Sequence, residues 1–411
     1  MKLLCLSNGH GEDIIAVRIL QELQQSFSVE PVALPIVGEG RAYITHGIPI
    51  AGPIQQMPSG GFIYMDGRQL LRDVRGGLPR LTWAQLQSAR SWAKKGGVIL
   101  AVGDIVPLLF AWWSGAPYAF VGTAKSEYYL RDEQGVLPRR SWFERLENWS
   151  GSVYLPWERW LMGHPRCKAV FPRDRLTAQF LKKSGIPAFD LGNPMMDGLE
   201  PRQVSFGVEP SPEPRLAFAL LPGSRAPEAY ENWQVIVQAV FNLVAAFPGR
   251  SLLFLGAIAP GLEMAAFQQA LRAGGWQQTA ADHYLTFKQY QATLILTQTD
   301  FSDCLHQADL AIAMAGTATE QFVGLGKPAL ILPGKGPQFT AAFAEAQTRL
   351  LGPSVILARQ PAEIPGLVQS LLHNPDQLQI IAENGRTRMG SSGAATRIAQ
   401  CILEKLNSGK L

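Results

Sequence analysis

The feature that most constrains the fold is a repeated alternation. Short runs that are apolar at nearly every position are each followed by a polar turn and then by a longer helical stretch. The chain opens this way, with residues 1–7 apolar, a turn Asn8-Gly9-His10-Gly11-Glu12-Asp13, and a helical pattern over 14–25. Strands that carry no polar face are covered on both sides, which is the condition of a parallel sheet sandwiched by helices. The rhythm continues to about Leu191. Between Pro194 and Arg215 it stops, and Pro194, Pro201, Pro210, Pro212 and Pro214 all fall there. Proline removes a backbone donor and fixes φ, so this stretch suits a linker better than a regular element. A second series starts at Arg215, with strands over 216–221, 251–255, 294–297, 310–313 and 328–332, and a helical tail over 375–406.

At 411 residues the chain is long enough for two or three domains. The pattern predicts an α/β fold of two Rossmann-like, doubly wound domains facing a central cleft. The boundaries are an N-terminal domain over 1–193, a linker over 194–214, a C-terminal domain over 215–375, and helices over 376–411 that are free to pack back on the first domain. With 47% apolar and 17% charged residues, disorder and collagen-like repeats are excluded. The 37 Lys and Arg against 33 Asp and Glu leave a charge of only +4, which argues against a nucleic-acid partner. Cys5, Cys167, Cys304 and Cys401 lie far apart with no CxxC spacing, and read as thiols rather than a metal site or disulfide framework. The first residues lack a completed secretory h-region. The apolar stretch 98–122 is long enough to span a bilayer, but Gly103, Pro107, Gly115 and Pro117 divide it into strand, turn, helix and strand.

Four strand-end motifs carry candidate chemistry. Leu221-Pro222-Gly223-Ser224-Arg225 closes the first strand of the second series. Gly223 allows close backbone approach, Ser224 offers a hydroxyl, and the Arg225 fork suits phosphate oxygens. A strand-ending turn with a solvated arginine is the plain alternative. Gly316-Thr317-Ala318-Thr319-Glu320 follows the strand over 310–313. Small residues opening a helix expose N–H groups to an anion, and Glu320, one turn in, can accept from two sugar hydroxyls. The same residues also read as a capping box from Thr317 to Glu320. In the first turn, Gly9 and Gly11 flank His10, an imidazole able to take a proton near neutrality, or merely a residue of a capping turn. This turn is neither a GxGxxG fingerprint nor a P-loop. Asp104, after the strand over 98–102, either orients His10, takes the proton itself, or caps the helix that begins at Ile105.

Eight of the ten tryptophans lie between Trp83 and Trp160, and residues 139–175 hold eight Lys/Arg against four acids. Indoles favour the headgroup zone and cations favour anionic lipids, so the stretch between Trp142 and Met162 reads as a membrane-facing surface, with core aromatics as the alternative.

With these motifs in place the sequence resembles the lipid-A-disaccharide synthase family, and more closely the related proteins of cyanobacteria and plastids. The resemblance rests on Leu221 to Arg225 with Glu228 following, on Ala315 to Glu320, and on Gly192-Asn193-Pro194-Met195. It covers most of the chain and is most specific in the second half. The N-terminal turn and the surroundings of Asp104 depart from the family pattern. The resemblance implies a GT-B glycosyltransferase whose N-terminal domain binds the acceptor and whose C-terminal domain binds a UDP-sugar. It implies members that are often dimeric or membrane-associated. A fixed arginine and a helix dipole can do the work of a metal, so no metal and no cofactor beyond that co-substrate is expected. The region of Gln338 differs from the synthase, and Gln338 is expected near the donor sugar because glutamines after this strand touch it in other GT-B enzymes. The expected activity is inverting hexosyl transfer to a lipid or lipid-linked acceptor by a cytoplasmic protein, peripheral on the inner or thylakoid membrane. His10 or Asp104 would act as base. A UDP-sugar 2-epimerase of the same architecture, a noncatalytic membrane-docked nucleotide-sugar-binding protein and, more remotely, a dehydrogenase are the competing readings.

Overall fold

The computed structural model describes residues 1–26, 29–55, 77–138, 149–206, 215–279, 284–336 and 339–407. The chain forms two compact units. One comprises Met1–Asp197 and Ser391–Leu411, the other Gly198–Gly390.

The first unit is built on five parallel strands: β1 (Lys2–Ser7), β2 (Glu30–Pro35), β3 (Val98–Gly103), β4 (Tyr118–Gly122) and, after a small hairpin of β5 (Arg131–Asp132) and β6 (Gly135–Val136), β7 (Cys167–Phe171). Their order is β2-β1-β3-β4-β7. The order reverses between β1 and β3, so the tips of those two strands flank the crevice where such sheets take ligands. All six residues of β3 and all five of β4 are buried. Cover comes from a core on each face. One includes Leu4, Ile99, Phe120 and Met162 under the helices Leu78–Lys94, Ile105–Ser114 and Pro156–Met162. The other includes Leu3, Leu100 and Val121 under the helix His10–Ser26 and the last helix, Ala394–Asn407. Ala395, Ile398, Ala399, Ile402 and Leu406 face inward at helical spacing. Fully burying each isoleucine contributes on the order of 1.5–3 kcal/mol.

The second unit carries an eight-stranded sheet. Its parallel part comprises β8 (Leu216–Leu221), β9 (Leu252–Ala257), β12 (Ala292–Thr297), β13 (Leu310–Ala313), β14 (Ala329–Ile331) and β15 (Val355–Leu357). Their order is β12-β9-β8-β13-β14-β15, extended antiparallel at the β12 edge by β11 (Leu285–Gln289) and β10 (Gln277–Thr279). Numbered along the chain, the parallel strands run 3-2-1-4-5-6, the Rossmann order, with the switch between β8 and β13. Both Rossmann-like units are thus doubly wound, as the strand rhythm predicts. The hairpin β10–β11 escapes that rhythm because Gln277, Gln278 and Thr279 carry no apolar signal.

The chain crosses between units at Asp197–Gly198 and returns at Gly390–Ser391. The helix Pro375–Met389 therefore stays with the second unit, whereas the sequence reading ends that domain at 375. Its reason is local: Gly385 packs directly on the Val323 backbone, and Arg388 donates to Arg349 O and Leu350 O. The stretch read as a linker is held within the units where it is described. Asp303 accepts from Arg202 N and Val204 N, and His306 Nε2 bonds Leu199 O. Residues 207–214 lie outside the described set. The segment 98–122 divides as expected, and among the described residues no helix is long and apolar enough to cross a membrane. All four cysteines are free and buried, and burial pushes each thiol above its ordinary value.

Asp197 fastens the last helix. Its carboxylate accepts from Gly393 N, Ala394 N and Ala395 N at 2.6, 3.1 and 2.7 Å, at the positive end of the helix dipole. Asp197→Ala should destabilise the first unit by about 1–2 kcal/mol, read as a lower urea midpoint at unchanged m-value; an unchanged midpoint would mean the cap carries no net energy.

Candidate functional site

In the second unit, three loops leave the carboxyl ends of neighbouring strands β8, β13 and β14. They are tied together by side chains rather than by backbone alone. Asn232, 2% exposed, donates Nδ2 to Pro222 O at 3.0 Å and to Met314 O at 3.3 Å, joining the loop after β8 to the loop after β13. Glu228, also buried, accepts from Phe339 N at 2.7 Å and lies against Gly336, joining the loop after β14. Gln347 donates to Ala315 O and Gly316 O, both at 3.3 Å, from the helix Ala341–Leu351.

Within this frame Gly223 adopts φ +102°, a conformation open to glycine, and a Cβ there would sit 3.4 Å from Met314 O. Ser224 is exposed and Arg225 half-exposed on the same loop. Gly316 is the N-cap of the helix Thr317–Gly324, and no side chain caps that end. The capping box expected from Thr317 and Glu320 is therefore absent. Instead Thr319 turns inward and donates to Ala315 O, and Glu320 is 6% exposed within the first turn. An uncapped helix start leaves N–H groups free for an acceptor, and anions meet that need. The Phe343 ring, 38% exposed, packs 3.5 Å from where a Gly316 Cβ would stand and edge-on to Phe339. Thus Gly223, Ser224, Arg225, Gly316, Thr317, Ala318, Thr319 and Glu320 gather on two loops at the switch point. Gln338 lies outside the described residues.

In the first unit, the tips of β1 and β3 are joined by one hydrogen bond, from Asn8 Nδ2 to Asp104 Oδ1 at 2.9 Å. The same Asp104 oxygen accepts from Val106 N at 2.8 Å, so the carboxylate caps the helix Ile105–Ser114 as well as bridging the strands. Gly103 takes φ +133°, and a Cβ there would collide with Asn8 Oδ1. His10 opens the helix His10–Ser26, with Gly9 buried before it and Gly11 exposed after it; the His10 side chain lies outside the described set.

Two features here escape sequence reading. Arg173, 7% exposed, brings a guanidinium to the strand tips and donates to Thr123 O at 3.2 Å. Asp13 is 5% exposed and bonded to Ser7 Oγ at 2.6 Å, with the Tyr43 hydroxyl 2.6 Å on the other side of that serine. Burial, with a smaller push from the Glu12 charge, raises the Asp13 carboxyl from 3.8 to about 6 despite the serine bond. Only tertiary packing reveals either, since an acid in a polar turn reads as solvated.

Asp13 binds its proton more tightly in the folded than in the unfolded chain, so the sign is that of a buried acid. The contribution is favourable below about pH 4 and is lost as pH rises through about 6. The loss amounts to about 3 kcal/mol of first-unit stability. Asp13→Asn should flatten this fall; urea titrations at pH 4.5 and 7.5 that show the same slope in both proteins would assign it to another group.

No protein-family model matches the chain. No curated protein matches it either. Solved structures do. UDP-GlcNAc 2-epimerase from Neisseria meningitidis, bound to UDP-GlcNAc, is 15% identical with a TM-score of 0.57, over 98% of this chain and 100% of that one. MurG from Acinetobacter baumannii is 16% identical with a TM-score of 0.56, over 98% and 99%. CalG4, the calicheamicin glycosyltransferase, is 15% identical with a TM-score of 0.61, over 100% and 99%. At these identities the likeness concerns the fold. The class of protein it defines is the GT-B fold, two Rossmann-like domains with parallel sheets. Among these structural neighbours are several UDP-GlcNAc 2-epimerases and a glycosyltransferase.

Proposed function

We propose that this protein transfers a sugar from a UDP-sugar to a hydroxyl of a lipid or lipid-linked acceptor, with inversion and without a metal. The donor half of this reading is supported by the fastening of the Arg225 loop and the Gly316 helix start, by Asn232, at the switch point of the second sheet. A diphosphate there meets a guanidinium and unpaired N–H groups, the charges that a divalent cation would otherwise supply. The acceptor oxygen attacks the anomeric carbon, the bond from that carbon to the diphosphate breaks, and UDP leaves. The acceptor proton passes to His10 or Asp104. Glu320, one turn into the helix, accepts from the ribose hydroxyls, and Gln338 serves the donor sugar, as glutamines after this strand do in other GT-B enzymes.

One observation favours lipid transfer over 2-epimerisation: the outer face of the first unit. Trp83, Leu109, Trp113, Trp157 and Trp160 are 58%, 44%, 41%, 51% and 57% exposed on three adjoining helices. Trp112 bridges Trp113 and Trp160, and Arg90 lies over Trp113 at 5.6 Å. These helices carry Arg80, Arg90, Lys94 and Arg159. Their single carboxylate, Glu158, is 2% exposed and bonded to Lys125 at 2.6 Å. Exposed indoles among uncompensated cations suit a bilayer surface bearing anionic lipid. Within the expected stretch, Tyr154, Leu161 and Met162 are instead core, Trp149 is 79% exposed, and Trp142 lies outside the described residues. The working location is therefore a cytoplasmic membrane face; a homodimer is compatible with this arrangement.

The decisive experiment incubates the protein with a panel of UDP-sugars, with and without lipid extract, and follows UDP and new glycolipid masses. Lipid-dependent UDP release is expected, falling by about 10²-fold or more in Arg225→Ala. Formation of a 2-epimer from UDP-GlcNAc alone would replace this reading with the epimerase, and nucleotide binding without turnover would replace it with a binding protein. On phosphatidylglycerol vesicles, Trp113→Ala/Trp160→Ala should bind about tenfold or more weakly, with UDP affinity unchanged, while neutral vesicles bind weakly throughout. Equal binding by variant and parent would remove this face from the membrane contact.

A further inference from the structure

A cavity of about 240 Å³ opens at the end of the second sheet opposite the nucleotide loops, where β9 and β12 begin at Leu252 and Ala292. Its walls are mainly apolar, with Phe241, Val244 and Phe247 from the end of the helix Glu228–Ala246 and the residue that follows it, and Leu252 from the sheet, while Gln289 and Gln291 add neutral polar groups. Arg250 is the one charged residue in the lining. Its guanidinium makes no hydrogen bond or ion pair among the described residues. Arg250 is partly exposed, so its fork is solvated at the mouth of the cavity, where a carboxylate can replace that water with two parallel bonds at once.

The rim adds a second observation. Gln289 pairs with Ala292, which leaves Tyr290 and Gln291 as a two-residue turn between β11 and β12. Such turns favour glycine or asparagine, yet Tyr290 occupies the left-handed region at φ +53° with 89% of its surface exposed. Phe241 beside it is 49% exposed. A bulky aromatic held in a strained position at the mouth of a cavity is a pattern found at ligand sites.

We infer that this cavity is a binding site for a small amphiphilic monocarboxylate, its apolar body against Phe241, Val244 and Leu252 and its carboxylate on Arg250. Size follows by scale. A cavity of about 150 Å³ takes benzene, with six non-hydrogen atoms, so one of about 240 Å³ takes about ten. Octanoate has that size. This cavity shares no residue with the loops after β8, β13 and β14.

The test uses the full chain and calorimetry with octanoate, octanol and octylammonium at neutral pH. Octanoate should bind at millimolar concentration or below, and octylammonium should not. Arg250→Gln should weaken octanoate by about tenfold and leave octanol unchanged, as expected for loss of a charge-assisted bond. Ala245→Leu, at an exposed lining position of a helix, should fill the mouth and weaken both ligands. Tyr290→Gly should raise Tm while weakening octanoate, a pairing that a purely structural tyrosine would not give. Octylammonium binding as well as octanoate, no octanoate binding up to about 10 mM, or indifference of octanoate to both Arg250→Gln and Ala245→Leu would overturn the assignment.

Discussion

A strand buried on both faces has no side to offer a ligand, only its end. In each unit the central strands are wholly enclosed, and the residues with chemical capacity stand where those strands stop. What keeps these ends usable is the satisfaction of their backbone carbonyls. Pro222 O and Met314 O would be costly if left unpaired inside the protein, and Asn232 answers both with one amide group. The same bonds hold two loops at a fixed separation, so stability and site geometry rest on one side chain.

The first unit solves its corresponding problem differently. Asp104 has two donors, a backbone N–H and the Asn8 amide, on one oxygen. Gly103 is confined to glycine because any side chain would occupy the place of that amide. A carboxylate fixed in this way has a defined direction.

Much of this was legible in the residues, and the reasons are specific. Apolar runs such as 216–221 and 310–313 announce enclosed strands, and glycine at 223 and 316 announces the tight turns that end them. The strand order, with its switch between β8 and β13, was not legible, since periodicity says nothing about which strands are neighbours. Nor were Asn232 and Gln347, each an ordinary polar residue on a helix until the packing of three loops gives it a purpose, and Glu228, read only as part of a motif, gains its bond to Phe339 N from the same packing. Thr317 misled for a related reason: a threonine before an apolar run favours capping locally, but here the cap position falls on Gly316 and the helix start is left open. Asp13 shows the same limit in charge, because its proton affinity is set chiefly by burial, which only the packed fold produces.

The buried thiols have a practical corollary. Cys5, Cys167 and Cys401 belong to the first unit and Cys304 to the second, all of them enclosed and poorly ionised. Alkylation at these sites must wait for transient opening, since only the exposed thiolate reacts. Mass spectrometry of modified peptides would thereby separate the breathing of one half from that of the other, using reporters the chain already carries.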